Sequence, residues 1–143
     1  HSNVKIGTLT GSEAGLTNAV NNALADAGMT IDDIDAVFGF ANGMKAVDDV
    51  EIKGLTAVFG DKLAEKPVVE LKGVLGESRA AAATTAAAHA ALMFAGKIPS
   101  QEAYSIAADG SVSKTNVEAS KLNNVLVVAY GAGGSYTAIV LSK

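Results

Sequence analysis

The chain has 143 residues, 49% of them hydrophobic and 18% charged, with eleven basic against fifteen acidic side chains. That size and apolar fraction give one domain with one core and exclude a disordered tail. A net charge of −4 with no dense basic stripe argues against nucleic acid and anionic membrane as partners, and the absence of cysteine excludes a disulfide framework, a thiolate metal site and a cysteine nucleophile within these residues.

Val4-Lys5-Ile6-Gly7-Thr8-Leu9 alternates apolar with small or polar residues and predicts a strand. Thr10-Gly11-Ser12-Glu13 has capping-box spacing, with the Thr10 hydroxyl taking an orphan amide and Glu13 reaching back. A helix follows with Leu16, Ala19, Val20, Ala23, Leu24 and Ala27 on one face, and Gly28 is placed to end it in a left-handed conformation. Thr30 to Asp35 reads as one short capped turn. Ala36 to Phe40 is an apolar run of strand length, and Ala46 to Phe59 a second helix stopped by Gly60. Pro67-Val68-Val69-Glu70-Leu71 predicts a third strand, with Pro67 at its tolerated first position. Ser78 to Ala95 predicts a third helix, followed by Gly96. Residues 99–121 read as a polar, irregular insertion. Val125 to Tyr130 is a fourth strand, and Gly131-Ala132-Gly133-Gly134 turns it into a fifth, Tyr136 to Leu141.

The order βαβαβαββ predicts an α/β fold: one domain over 1–143 with a mixed, mostly parallel five-stranded sheet, helices on both faces, and the last two strands as an antiparallel hairpin. Within it, Ala80 to Ala95 holds ten alanines, two threonines, Leu92, Met93, Phe94 and His89. A helix facing water normally carries a charged stripe; this one has none after Arg79. Such a rod predicts cover on both faces, the outer one by another chain or domain, and hence an oligomer. The uncharged run from Ala80 to Gly96 is too weakly hydrophobic for a membrane span. No secretory signal is read at the start, which makes cytoplasm the default expectation.

Generic catalytic motifs are nearly absent. Gly131-Ala132-Gly133-Gly134-Ser135-Tyr136 leads into a strand, so a cofactor phosphate would find no helix N-terminus, and no cofactor is expected. Ser111-Val112-Ser113-Lys114 has serine–lysine spacing but lies in a polar stretch where that chemistry requires the start of a rigid helix. His89 stands alone, which predicts a core or interface histidine and no metal site. Asp48, Asp49 and Glu51 open a helix, where carboxylates favour the positive end of the macrodipole.

Several stretches nonetheless carry a pattern. Ile34-Asp35-Ala36-Val37-Phe38-Gly39-Phe40 precedes Asp48-x-x-Glu51; Leu71-Lys72-Gly73-Val74-Leu75-Gly76-Glu77 precedes the alanine-rich helix; Lys97-Ile98-Pro99 follows it; and Tyr130-Gly131-Ala132-Gly133-Gly134-Ser135-Tyr136 joins the last strands. In this order the chain resembles the C-terminal half of β-ketoacyl-acyl carrier protein synthases of the thiolase fold, most of all the chain length factor type. The resemblance runs over nearly the whole chain and is weakest over 99–121. It implies two similar halves stacked so that two helices lie buried between their sheets.

The departures from the family pattern bear on function. Phe40 stands where active synthases of this family carry one catalytic histidine, and Asn42 where they carry a threonine. Glu77 stands at the second histidine, in a segment that keeps Lys72 and Gly76. Ala132 replaces a gating phenylalanine, which puts Phe40, Asn42, Ala132 and Gly133 along the expected acyl tunnel, with Gly131, Gly133 and Gly134 as structural turn residues. Decarboxylative condensation uses two imidazoles to hold a thioester oxyanion and a cysteine to carry the acyl chain. Phenylalanine donates no hydrogen bond, and a carboxylate repels a developing oxyanion. The resemblance therefore implies a non-condensing, chain-length-factor-like subunit or fragment in fatty acid or polyketide assembly, inactive alone. Its implied partners are an N-terminal thiolase half or an active ketosynthase, and an acyl carrier protein. A retained Lys72–Glu51 pair is expected to form a structural ion bridge beneath the former site. An acyltransferase using Glu77 as general base, and a free-standing acyl- or carrier-protein-binding module, are the alternative readings.

Overall fold

A serine hydroxyl starts the first helix: in a computed structural model describing residues 11–131 and 133–143, α1 spans Glu13–Ala27 and Ser12 accepts the Gly15 amide at 3.2 Å. Ser12 thus occupies the cap position expected of Thr10, which lies outside the described residues together with the expected strand Val4–Leu9. Gly28 closes α1 at φ 65°, its amide bonding the carbonyls of Ala25 and Leu24. A β-carbon on Gly28 would meet nothing within 4 Å, so the cost of Gly28→Ala is conformational only. It is expected to lower stability by about 1 kcal/mol in urea unfolding.

The short turn Ile31–Asp33 carries the expected cap, with the Thr30 amide donating to the Asp33 carboxylate at 2.7 Å. Strand β1 is Ala36–Phe38, helix α2 is Lys45–Phe59, and β2 shrinks to Val68–Val69. A single helical turn, α3, covers Lys72–Leu75. The alanine-rich helix α4 runs Ala82–Phe94 and starts later than its composition predicts. The reason is local: the Glu77 carboxylate captures the Arg79 amide at 2.6 Å, and Arg79 has φ 49°, outside right-handed helix.

Residues 99–121 are not irregular. They form an antiparallel hairpin, β3 Ser100–Ile106 and β4 Val112–Glu118, in register from Ser100↔Glu118 to Ile106↔Val112. Its exposed polar positions hide the alternation, while Ala103, Ile106 and Val117 supply the buried side. Strands β5 Asn124–Gly131 and β6 Ser135–Ser142 make the expected closing hairpin. Among the described residues the sheet therefore has six strands where five were expected, in the order β4-β3-β2-β1-β5-β6. It is mixed and open: β1 pairs in parallel with β2 and β5, and the other neighbours are antiparallel.

Alternation along the central strands separates two cores. Val37, Val68, Leu126 and Val128 face α1 and α2 through Leu16, Val20, Leu55 and Phe59. Ala36, Phe38, Val69, Val125 and Val127 face Ala86, Ala90 and Met93 of α4. Helices thus lie on both faces, two on one and α4 on the other. The sheet covers only one side of α4; the opposite side, with Thr84, Ala88, Ala91, Leu92 and Ala95, is exposed within this chain and carries no charge. Among the described residues no helix is long and apolar enough to cross a membrane.

Candidate functional site

The connection leaving β1, Gly39 to Asn42, is anchored almost entirely through its backbone. Gly39 extends the sheet with a 3.0 Å bond to the Val69 carbonyl. The next two amides, Phe40 and Ala41, donate to the two oxygens of Glu51 at 2.7 and 2.8 Å, and the Asn42 amide donates to Asp48 at 3.0 Å. The Asp-x-x-Glu spacing puts these carboxylates one turn apart on the same side of α2, both turned back to the strand end. Their role is to hold a turn whose amides no strand or helix satisfies.

The Phe40 side chain points away from this polar network into the core. It is 2% exposed and stacks against Tyr130 at 5.8 Å and Tyr136 at 6.2 Å between ring centroids. Tyr136 also accepts the Ser12 amide through its hydroxyl, tying β6 to the start of α1. The carbonyl of Phe40 accepts the Lys72 ammonium at 2.7 Å. Lys72 does not bridge to Glu51. It pairs with Glu77 at 3.1 Å, because Glu51 lies inside the protein with its oxygens occupied by amides while Glu77 lies at the half-open rim.

Glu77 receives three donors: the Arg79 amide, Lys72, and the Asn42 side chain at 3.2 Å. Burial raises its carboxyl, but the Arg79 amide, Lys72 and Asn42 together outweigh that effect and hold it below the ordinary glutamate value. It is therefore a charged carboxylate at neutral pH. The structure thus brings together four residues singled out in the sequence, Phe40, Asn42, Lys72 and Glu77, and leaves Glu51 behind them as a support.

Sequence reasoning missed Glu70. Its carboxyl lies against Glu51, and a β-carbon on Gly39 would fall 2.0 Å from Glu70 Oε1 and 2.8 Å from Glu51 Oε1. The signal was present as a lone charge within Pro67-Val68-Val69-Glu70-Leu71. Burial first, and then the charge of Glu51, push the Glu70 carboxyl well above its ordinary value. Burial likewise raises Glu51, against the bonds from Phe40, Glu70 and Ala41. Glu51, Glu70, Asp48 and Lys72 line one end of a cavity of about 350 Å³ whose other walls include Tyr104 and Ile106.

The other singled-out residues fall elsewhere. Gly131 and Gly134 close the β5–β6 turn with a 2.8 Å bond, Gly134 at φ 83°, and Gly133 lies in the same turn; Ala132 lies outside the described residues. His89, half-buried, packs against Phe38 at 6.1 Å with its Nε2 buried, and burial lowers it, against a bond with Gln101. Ser111 precedes a strand, not a helix, and Lys114 pairs across the hairpin with Glu102 at 3.2 Å. Among the described residues no cluster of histidines or carboxylates is disposed to hold a metal ion.

With this geometry in place, comparison with known proteins is informative. The family model "Beta-ketoacyl synthase, C-terminal domain" matches residues 1–105. The chain is 29% identical over 134 residues to "Putative polyketide beta-ketoacyl synthase 2" of Streptomyces halstedii, covering 92% of this chain and 32% of that protein. It therefore spans about a third of the length of that curated relative. The ishigamide ketosynthase/chain length factor structure superposes with a TM-score of 0.78 at 24% identity, over 97% of this chain and 35% of the other. AntDE:AntF, a type II PKS acyl-carrier protein in complex with its ketosynthase bound to the hexaketide, superposes with a TM-score of 0.73 at 17% identity, over 96% of this chain and 35% of the other. These structural likenesses extend the thiolase-like fold to nearly the whole chain.

Proposed function

Because this chain belongs to the β-ketoacyl synthase family, as its C-terminal domain, we propose that it is the non-condensing, chain-length-factor-like half of a synthase that shapes an acyl tunnel in polyketide or fatty acid assembly. One observation supports this above the others: of the residues that the family resemblance sets at its two histidine positions, Phe40 has its ring withdrawn into an aromatic core and Glu77 is a carboxylate kept charged by three donors. Neither supplies a hydrogen-bond donor toward an oxyanion, and the Lys72 ammonium is already committed to Phe40 and Glu77. Glu77 also fits poorly as a general base, since effective bases at neutral pH are raised toward it while Glu77 is lowered.

In this reading Asn42 and the turn between β5 and β6 line the tunnel wall, Phe40 backs it from the core instead of lining it, and Lys72, Glu77 and Glu51 fix the backbone after β1. The partners are an N-terminal thiolase half or an active ketosynthase and an acyl carrier protein, working in the cytoplasm without a cofactor. The uncharged outer side of α4, with Leu92 46% exposed, and the exposed Val74 and Leu75 of α3 support cover by a second sheet layer.

A condensation assay with the N-terminal half present tests the proposal. Loss of one oxyanion donor costs about 10²–10³ in rate, and here two are missing, so turnover is expected at background. Phe40→His with Glu77→His is expected to remain at background unless the other half supplies a nucleophilic cysteine. Turnover by the unaltered chain's assembly removes the non-condensing reading.

A further inference from the structure

Two buried carboxyl groups in contact cannot both be ionised without a large cost, so a pair of this kind normally holds one proton between them. Glu51, fully buried, and Glu70, half-buried with its Oε2 shut off from solvent, form such a pair beneath the Gly39–Asn42 turn. They come from different elements, α2 and the residue after β2, and meet only because position 39 has no side chain: an added β-carbon would overlap Glu70 Oε1 at 2.0 Å. Glu51 spends both oxygens accepting the Phe40 and Ala41 amides, which is the work of a carboxylate. Glu70 has a buried oxygen, Oε2, with no partner. A carboxylate in that setting would be doubly penalised, by the unpaired oxygen and by its neighbour's charge; a neutral acid donating to Glu51 would not.

We propose that Glu70 acts as a positioning residue: it keeps the shared proton and donates it in a hydrogen bond to Glu51, which in turn holds the Phe40–Ala41 amides, making the turn that carries Phe40 and Asn42 a proton-dependent element. The charged groups acting on the pair are Asp48 from α2 and Lys72 from α3, and Tyr104 from β3 lines the same cavity. Asp48 adds negative charge that favours retention of the proton. Lys72 opposes this, but its ammonium is shared with Glu77 and the Phe40 carbonyl. Both carboxyls are shifted upward, Glu70 the more strongly. The inference is independent of whether the site condenses.

The sign of the pH dependence follows from linkage. Glu70 binds its proton more tightly folded than unfolded, so the contribution is fully present below the unfolded value, 4.5, and is lost as pH rises through the raised folded value. Over that window the unfolding equilibrium constant of the full chain should rise about tenfold per pH unit, the slope for release of one proton. Glu70→Gln keeps a donor toward Glu51 and has no proton to lose, so its stability is expected to fall less steeply with pH over the same window than that of the unaltered chain and to exceed that of Glu70→Ala. Carbon-13 titration of the glutamate carboxyls should show a group titrating well above the ordinary range in the unaltered chain, assigned to Glu70 by its loss in Glu70→Gln. Gly39→Ala, which separates the pair sterically, should also abolish that high titration. The proposal is overturned if Glu70→Gln retains the full pH slope, if it is no more stable than Glu70→Ala, or if every glutamate in the unaltered chain titrates in the ordinary range.

Discussion

Glu51→Ala is expected to destabilise the chain by about 3 kcal/mol, more than any other single change at the site. The substitution strips the acceptors from the Phe40 and Ala41 amides, the first buried and the second partly so, and each orphaned buried group costs about 1–3 kcal/mol. Glu51→Gln should fall between the two: its carbonyl satisfies one amide, while its NH₂ meets the second amide donor to donor. Urea unfolding of the three chains at one pH gives the order directly. Equal stability of Glu51→Ala and the unaltered chain would mean that the turn after β1 finds other acceptors, and the site as described would not depend on α2.

The second large effect concerns assembly. Ala88 lies on the exposed, charge-free side of α4, so Ala88→Arg is expected to change the stability of the chain itself by no more than about 0.5 kcal/mol. In the proposed assembly that side packs against a second layer, where an unpaired guanidinium is desolvated without compensation. Affinity for the N-terminal half is then expected to fall by about 100-fold or more, read by sedimentation or calorimetry with both halves present. Alanine at this position allows close approach of backbones; arginine removes that as well as adding charge. If Ala88→Arg associates as tightly as the unaltered chain, the outer side of α4 is not the mating surface.

The pattern of success and failure in reading the sequence has a physical cause. Helices α1 and α2 were legible because their apolar positions recur at helical spacing and glycine follows each: Gly28 at φ 65° and Gly60 at φ 56°. The closing hairpin was legible from the glycine run between two apolar strands. The hairpin β3–β4 was not, because it lies at the sheet edge, with one row of side chains in water and charges such as Glu102 and Lys114 paired across it. Edge strands of this kind are charged to discourage further pairing, and the same charges erase the strand signal.

The local chemistry divides in the same way. Sequence alone determined which side chains the chain places there, Phe40, Lys72 and Glu77 together with an uncharged alanine rod, since these are identities and need no geometry. Tertiary structure decided what each one touches. It paired Lys72 with Glu77 and not with Glu51, withdrew Phe40 into contact with Tyr130 and Tyr136, and brought Glu70 onto Glu51 across the gap left by Gly39. Residues 51 and 70 are nineteen apart in the chain and lie on different elements. Their contact is set by the packing of α2 against the sheet, to which no periodicity or spacing within either segment refers.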